Sequence, residues 1–134
     1  MYLCCMQKTF GLIASFYGLS AVILGAFGAH ALKNKLDAYS LEIFNKGVQY
    51  QFYHVAALLV VALLSQKLAN KTLIFAGWSF SIGILFFSGS LYLLATRALM
   101  HTDALTPILG PITPLGGLCF IIGWICLFIS FLKM

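Results

Sequence analysis

Four long apolar runs constrain this chain more than any other feature of its sequence. Each run contains about 19 to 24 residues and no Asp, Glu, Lys or Arg, and together they cover residues 9–29, 47–65, 72–95 and 114–132. An α-helix rises about 1.5 Å per residue, so about 20 residues cross the roughly 30 Å hydrocarbon core of a bilayer. The runs predict an all-α, polytopic membrane protein with a bundle of four transmembrane helices.

The composition agrees with this class and leaves no room for a separate soluble domain. The chain has 134 residues, of which 62% are hydrophobic and only 8% are charged. A soluble domain of this length needs a larger polar share to cover its surface. We therefore expect residues 1–134 to form a single membrane domain.

The net charge of +5 does not indicate a nucleic-acid partner, because the basic residues are scattered among the termini and the connections. Membrane lipids are the partners we expect for them. These residues do not decide the orientation either. If the N-terminus is inside, four basic residues fall on each side of the membrane, and the positive-inside rule gives no answer. They are Lys8, Lys67, Lys71 and Lys133 inside, against Lys33, Lys35, Lys46 and Arg97 outside.

The connection between the first two runs has a helical pattern of its own. Glu42 and Lys46 are four residues apart, a spacing that supports a helix at the surface. Apolar residues recur near them at helical spacing. We predict an interfacial amphipathic helix over residues 33–46 that bends into the second span near Gly47. A plain polar loop is the alternative.

The connection before the last run predicts a different kind of boundary. It contains Pro107 and Pro111, which indicate a segment too broken for a regular helix. Thr113 followed by Pro114 is typical of a helix start, with a hydroxyl cap and then proline at the first position. The last span is therefore predicted to begin at Pro114.

Small residues line one face of the first and last runs. In lipid, such faces allow close approach of a second helix, because packing and not hydrophobicity drives association. The glycines that we predict to pack against other helices are Gly11, Gly18, Gly25, Gly28, Gly116 and Gly123.

A cluster of polar side chains near the ends of helices 1 to 3 is the candidate site. Polar groups inside a span are candidates for function by default. The residues of the hypothetical ligand site are His30, Tyr50, Gln51, His54, Ser88 and Ser90. Two interpretations stay open: a hydrogen-bonded cluster that fixes the bundle, or a pocket for a ligand or lipid headgroup. The spacing of the three histidines matches no metal motif, and we expect neither a metal nor a cofactor.

Several segments together resemble a known family. LGAFGAHAL (24–32), GVQYQFYH (47–54), FSGSLYLLA (87–95) and TPLGGLCFIIGW (113–124) resemble the domain of unknown function 423 family, small bacterial inner-membrane proteins with four predicted helices. The resemblance implies a multi-pass inner-membrane protein with both termini in the cytoplasm. It implies no established activity. The chain departs from the family pattern in its N-terminal extension, its third connection and its short C-terminus.

The sequence favours an integral membrane protein that acts as a structural or interaction helix bundle. The alternative is a module that binds or transports a lipid or small amphiphile through the polar cluster. We do not expect an enzyme, because no nucleophile, base and acid have a recognisable arrangement. A homo-oligomer is one way for so small a bundle to bury more surface.

Overall fold

The computed structural model describes residues 2–67 and 70–134, and it confirms an all-α protein with four helices long and apolar enough to span a membrane. The first span is α1, Tyr2–Phe27, which continues through a π-helical turn at Gly28–Leu32. The second span is α2, Ala38–Leu64.

The other two spans are also continuous helices. The third contains α3 (Lys71–Gly83), a π-helical turn (Ile84–Ser88) and α4 (Gly89–Met100). The fourth is α5, Thr106–Leu132, which follows a short 3-10 turn. All four spans are longer than the predicted apolar runs, because helical structure continues into the polar connections.

The separate interfacial helix is not present. Lys33 to Leu36 form a turn, and the helix that begins at Ala38 continues through Gly47 into the second span without a break. The start is fixed by Asp37, whose carboxylate accepts hydrogen bonds from the amide and the hydroxyl of Ser40 at 3.0 and 2.7 Å. The helical part of the prediction is confirmed from Ala38 onward, and the bend at Gly47 is wrong.

The predicted start of the last span is also wrong, by eight residues. Pro107 lies in the first turn of α5, where a missing amide hydrogen has no helical partner to lose. Pro111 and Pro114 then lie inside the helix, as membrane helices tolerate. Thr113 is not a cap: its hydroxyl bonds to the carbonyl of Leu109 at 3.2 Å and to Ser90 at 2.7 Å.

Each span packs mainly against its neighbours in the sequence. α1 lies along α2, α2 lies along the third span, and the third span lies along α5. A buried cluster joins the four spans, and its largest members are Phe10, Leu58, Leu73, Phe80 and Phe120. The arrangement is open, because α1 and α5 stand at its two edges.

Glycines allow a close contact between the third span and α5. An added Cβ at Gly116 would lie 2.8 Å from the Cα of Phe87, which is backbone and cannot move aside. Gly123 faces the ring of Phe80, and Gly83 faces the ring of Phe120. The structure therefore places Gly116 and Gly123 at a helix contact, with Gly83 as a third member.

The glycines of the first span make a looser contact. A Cβ atom added at Gly18 would lie 3.6 Å from Val55 of α2, and one added at Gly25 would lie 3.4 Å from Val48. A Cβ atom added at Gly28 would lie 3.0 Å from Phe44. Gly11 differs, because nothing lies within 4 Å of its Cβ position. The prediction for Gly11 is wrong because the neighbouring ring, that of Phe10, fills the space against the third span instead.

Candidate functional site

Gln51 is the centre of a polar network in the middle of the bundle. It lies thirteen residues from either end of α2 and is buried. Its amide nitrogen donates to the carbonyl of Tyr17 and to the hydroxyl of Ser20, both at 2.8 Å. Its amide oxygen accepts from the hydroxyl of Tyr92 at 2.7 Å. One side chain thus connects α1, α2 and α4.

Tyr17 extends this network to α3. Its hydroxyl donates to the carbonyl of Ser81 at 3.1 Å. The sequence analysis did not select Tyr17 or Ser20, although both lie in a continuous apolar run, where hydroxyl side chains are the available partners for a buried amide.

His54 is buried on another side of α2, toward α5. Its ring stacks on Phe120 with centroids 3.4 Å apart and planes 5° from parallel. Its Nδ1 lies 2.7 Å from the carbonyl of Tyr50, and its Nε2 lies 3.2 Å from Nε1 of Trp124. An indole nitrogen only donates and a carbonyl only accepts. The geometry therefore assigns the proton to Nδ1 and makes Nε2 an acceptor, in a neutral ring.

The two predicted serines have different surroundings. Ser90 bonds to Thr113 of α5 and to the carbonyl of Phe87, so it connects two spans. Ser88 is fully buried in the π-helical turn, and its hydroxyl has no hydrogen-bond partner among the described residues. Neither residue lines the groove between α2 and α5 that His54 borders, described below.

His30 does not join the site. It is exposed, in the turn where Gly28 contacts Phe44. His54 lies ten residues further along α2 than Phe44, or ~15 Å at the helical rise. His30 and His54 are therefore not brought together, although the sequence analysis placed them in one site. Among the residues that the structure describes, no three side chains of the metal-binding types come together.

Two of the predicted site residues, Tyr50 and His54, line a groove between α2 and α5. It has a volume of about 970 Å³ and opens toward the surroundings of the bundle. Tyr50 and His54 form part of its wall, with Phe120 and Trp124 opposite, two aromatic residues that the sequence analysis did not select. They could have been noted from their spacing of one helical turn in the last run.

These features define a multi-pass α-helical membrane protein in which the buried side chains of Gln51, His54 and Ser90 bond to neighbouring helices. The comparisons with known proteins agree. The model of the family described as Protein of unknown function (DUF423) matches residues 24–117. The chain belongs to this family, as the resemblance of its motifs indicated.

Relatives in several bacteria cover nearly the whole chain. The UPF0382 membrane protein YwdK of Bacillus subtilis is 43% identical over 128 residues, covering 95% of this chain and 98% of the relative. A UPF0382 membrane protein of Staphylococcus epidermidis is 44% identical over 127 residues, with the same coverage. A UPF0382 membrane protein of Haemophilus influenzae is 40% identical over 122 residues, which cover 91% of this chain and 92% of the relative. No solved structure matches the chain.

Proposed function

We propose that the protein is a non-enzymatic structural and interaction protein of the bacterial plasma membrane. The observation that carries this proposal is the saturation of Gln51, whose two amide hydrogens and oxygen all bond to groups of the same chain. A buried polar residue placed to receive a ligand would keep some of these groups free. Here they hold three helices together.

The hydrogen bonds of His54 support the proposal that the protein is not an enzyme. Both ring nitrogens have partners, and the one that could accept a proton faces the indole of Trp124. A general base needs a free lone pair within reach of its substrate. We expect no turnover, no cofactor and no metal.

The helical architecture supports a location in the plasma membrane, because barrel proteins of the bacterial outer membrane cross it with β-strands. Four spans place both termini on the same side. Because the basic residues are divided equally between the two sides, we assign the termini to the cytoplasm on the family resemblance alone.

Cysteine labelling tests this orientation. In a variant with Cys4, Cys5, Cys119 and Cys126 replaced by serine, N34C and M134C place single thiols at exposed positions on opposite sides. A membrane-impermeant maleimide should label N34C in intact cells of a bacterium with a single membrane, and M134C only after permeabilisation. The reverse pattern would refute cytoplasmic termini.

The edge helices are the surfaces that we propose for partners. α1 exposes large apolar side chains such as Leu12, Phe16 and Leu19, which suit lipid or the helices of a second copy. Nucleic acid is not among the proposed partners, because the basic residues form no stripe. Native mass spectrometry from lipid nanodiscs tests the proposal. We expect a fixed number of chains with phospholipid adducts, and a monomer carrying a stoichiometric non-lipid metabolite would contradict it.

A further inference from the structure

Gln49 is a strongly polar side chain on the outward face of α2. It is exposed, and among the described residues its side chain makes one hydrogen bond, from the amide nitrogen to the hydroxyl of Tyr53 at 2.7 Å. Its amide oxygen and its second amide hydrogen are therefore left over in the part of the chain that the structure describes. Gln51, two residues later, uses both kinds of group inside the bundle.

Contacts with the neighbouring helices give the depth of Gln49 in the membrane. The two residues before it, Gly47 and Val48, are opposite Tyr92 and Gly25. Gly25 lies four residues before the end of the first apolar run, and Tyr92 lies three residues before the end of the third. Both contacts place the backbone of Gln49 about 7 Å inside the ends of these runs at the helical rise.

Lipid is a poor neighbour for Gln49 at this depth. Hydrocarbon chains have neither donors nor acceptors, so the amide groups that are left over carry the cost of lost hydration without a bond in return. Side-chain amides that bond across helices remove this cost. The outward face of α2 therefore favours a protein partner that has a polar group at the same level.

The other residues of this face suit a helix that lies alongside α2. Glu42, Gln49, Ala56 and Leu63 are all exposed and are spaced by seven residues, which is nearly two helical turns, so they form one line that we call the α2 seam. Ala56 is small and allows close approach. At the polar end, each copy also has exposed Lys46 four residues from Glu42, so both signs of charge are available there.

A second copy of the chain supplies the complement of Gln49. A primary amide both donates and accepts, so two such side chains related by a two-fold axis can exchange two hydrogen bonds. Copies that insert with the same orientation have parallel α2 helices and both amides at one depth. We propose that two copies associate along the α2 seam, with Gln49 of each copy bonded to Gln49 of the other.

This interface rests on the proposed function, because it names the partner of an interaction protein. It is separate from the exposed face of α1, and it uses none of the bonds that Gln51 makes within each copy. A protein that is monomeric in its unmodified form would overturn the seam, and the role of Gln51 inside the bundle would stand.

Oxidative crosslinking in native membranes tests the position of the interface. In the cysteine-free background described above, A56C should form a disulfide between copies when copper phenanthroline is added, because facing positions of a close seam come within disulfide distance. L19C on α1 and I121C on the α5 wall of the groove are the controls, since Leu19 is 62% and Ile121 is 58% exposed. Neither should crosslink. Crosslinking at a control position, or none at A56C, would overturn the seam.

Energy transfer between labelled copies tests the role of Gln49. Copies labelled at N34C with donor or acceptor are mixed in vesicles of phosphatidylethanolamine and phosphatidylglycerol and diluted with added lipid. The loss of two interhelical hydrogen bonds in Q49L should raise the dissociation constant of the dimer about eightfold. Q66L is the matched control, because Gln66 is also exposed but lies in the turn after α2. Equal constants for Q49L and Q66L would refute the proposal.

A third variant separates a lost contact from a lost fold. Q49N keeps an amide at the seam, so its dissociation constant should lie closer to that of the unmodified protein than to that of Q49L. Circular dichroism should show the same helical content in Q49L, Q49N and Q66L. Weaker association of Q49L that accompanies a loss of helix would contradict a role at the interface.

Discussion

Nε1 of Trp124 donates a hydrogen bond to Nε2 of His54 across 3.2 Å, between two membrane-spanning helices. Together with the stack of His54 on Phe120, this bond links α2 to α5, and it determines the tautomer of His54. With Nε2 as acceptor, the proton must be on Nδ1, where it bonds to the carbonyl of Tyr50.

We predict that nitrogen-15 NMR of the reconstituted protein shows His54 neutral, with a protonated Nδ1 and an unprotonated Nε2. W124F should shift the Nε2 resonance, because its donor is lost, and should leave Nδ1 bonded to Tyr50. W78F is the control and should change neither resonance. A protonated Nε2 in the unmodified protein would contradict the assignment.

Replacement of Gln51 by leucine should destabilise the bundle. The variant loses three hydrogen bonds, and interhelical bonds in membranes average about 0.6 kcal/mol each, so we expect a loss of about 2 kcal/mol. Unfolding in mixed micelles by a denaturing detergent measures it. The matched control is Q49L, two residues earlier, where the exposed amide bonds only to Tyr53. Equal losses in both variants would show that the network contributes nothing.

Alanine at Gly116 should be harmful, although alanine is the better helix former. Its Cβ would lie 2.8 Å from the Cα of Phe87, so the two helices must separate, and overpacking of this kind costs about 1–3 kcal/mol. The same denaturation experiment measures this. G110A on the same helix meets no atom within 4 Å and should be neutral, or more stable by about 0.5–1 kcal/mol. Similar stabilities for both variants would contradict the close contact.

The start of α2 should respond to acid through Asp37. Hydrogen bonds from the Ser40 amide and hydroxyl hold the pKa of Asp37 below its ordinary value, because they favour the charged carboxylate. Since the folded pKa is the lower one, this stabilisation is present above the unfolded pKa and is lost as pH falls through the folded pKa.

The NMR shift of the Ser40 amide should therefore titrate with a midpoint below ~3.9, the usual value for aspartate. D37N keeps a good capping side chain and removes the charge, so the helix start should persist without this titration. A midpoint above the ordinary value would contradict the capping role.

The transmembrane fold could be predicted from the sequence because it depends on a property of whole segments. About 20 apolar residues must be helical in lipid, whatever their neighbours are. The helix ends could not be predicted as well. Pro107 and Pro111 indicate a broken segment in water, and Pro114 a helix start, but α5 begins at Thr106 and continues through Pro111 and Pro114 because surrounding helices can satisfy freed backbone groups.

The site was harder to predict because helical periodicity does not say which neighbour a face meets. Gln51 and His54 are three residues apart and so nearly share a face, only about 60° apart on the helix. That small angle directs Gln51 to α1 and α4 and His54 to α5. The grouping of His30 with them assumed that the helix ends meet there, whereas Gly28 is opposite Phe44.

The packing of each span on its sequence neighbours has a consequence for how the protein is made. α1 finds its main partner when α2 enters the membrane, and the third span can then add to α2 before α5 is synthesised. No span has to wait for a distant segment, and contacts between consecutive elements are those that form fastest. We expect biogenesis to proceed stepwise in chain order, with the contact between the third span and α5 as the last one to close.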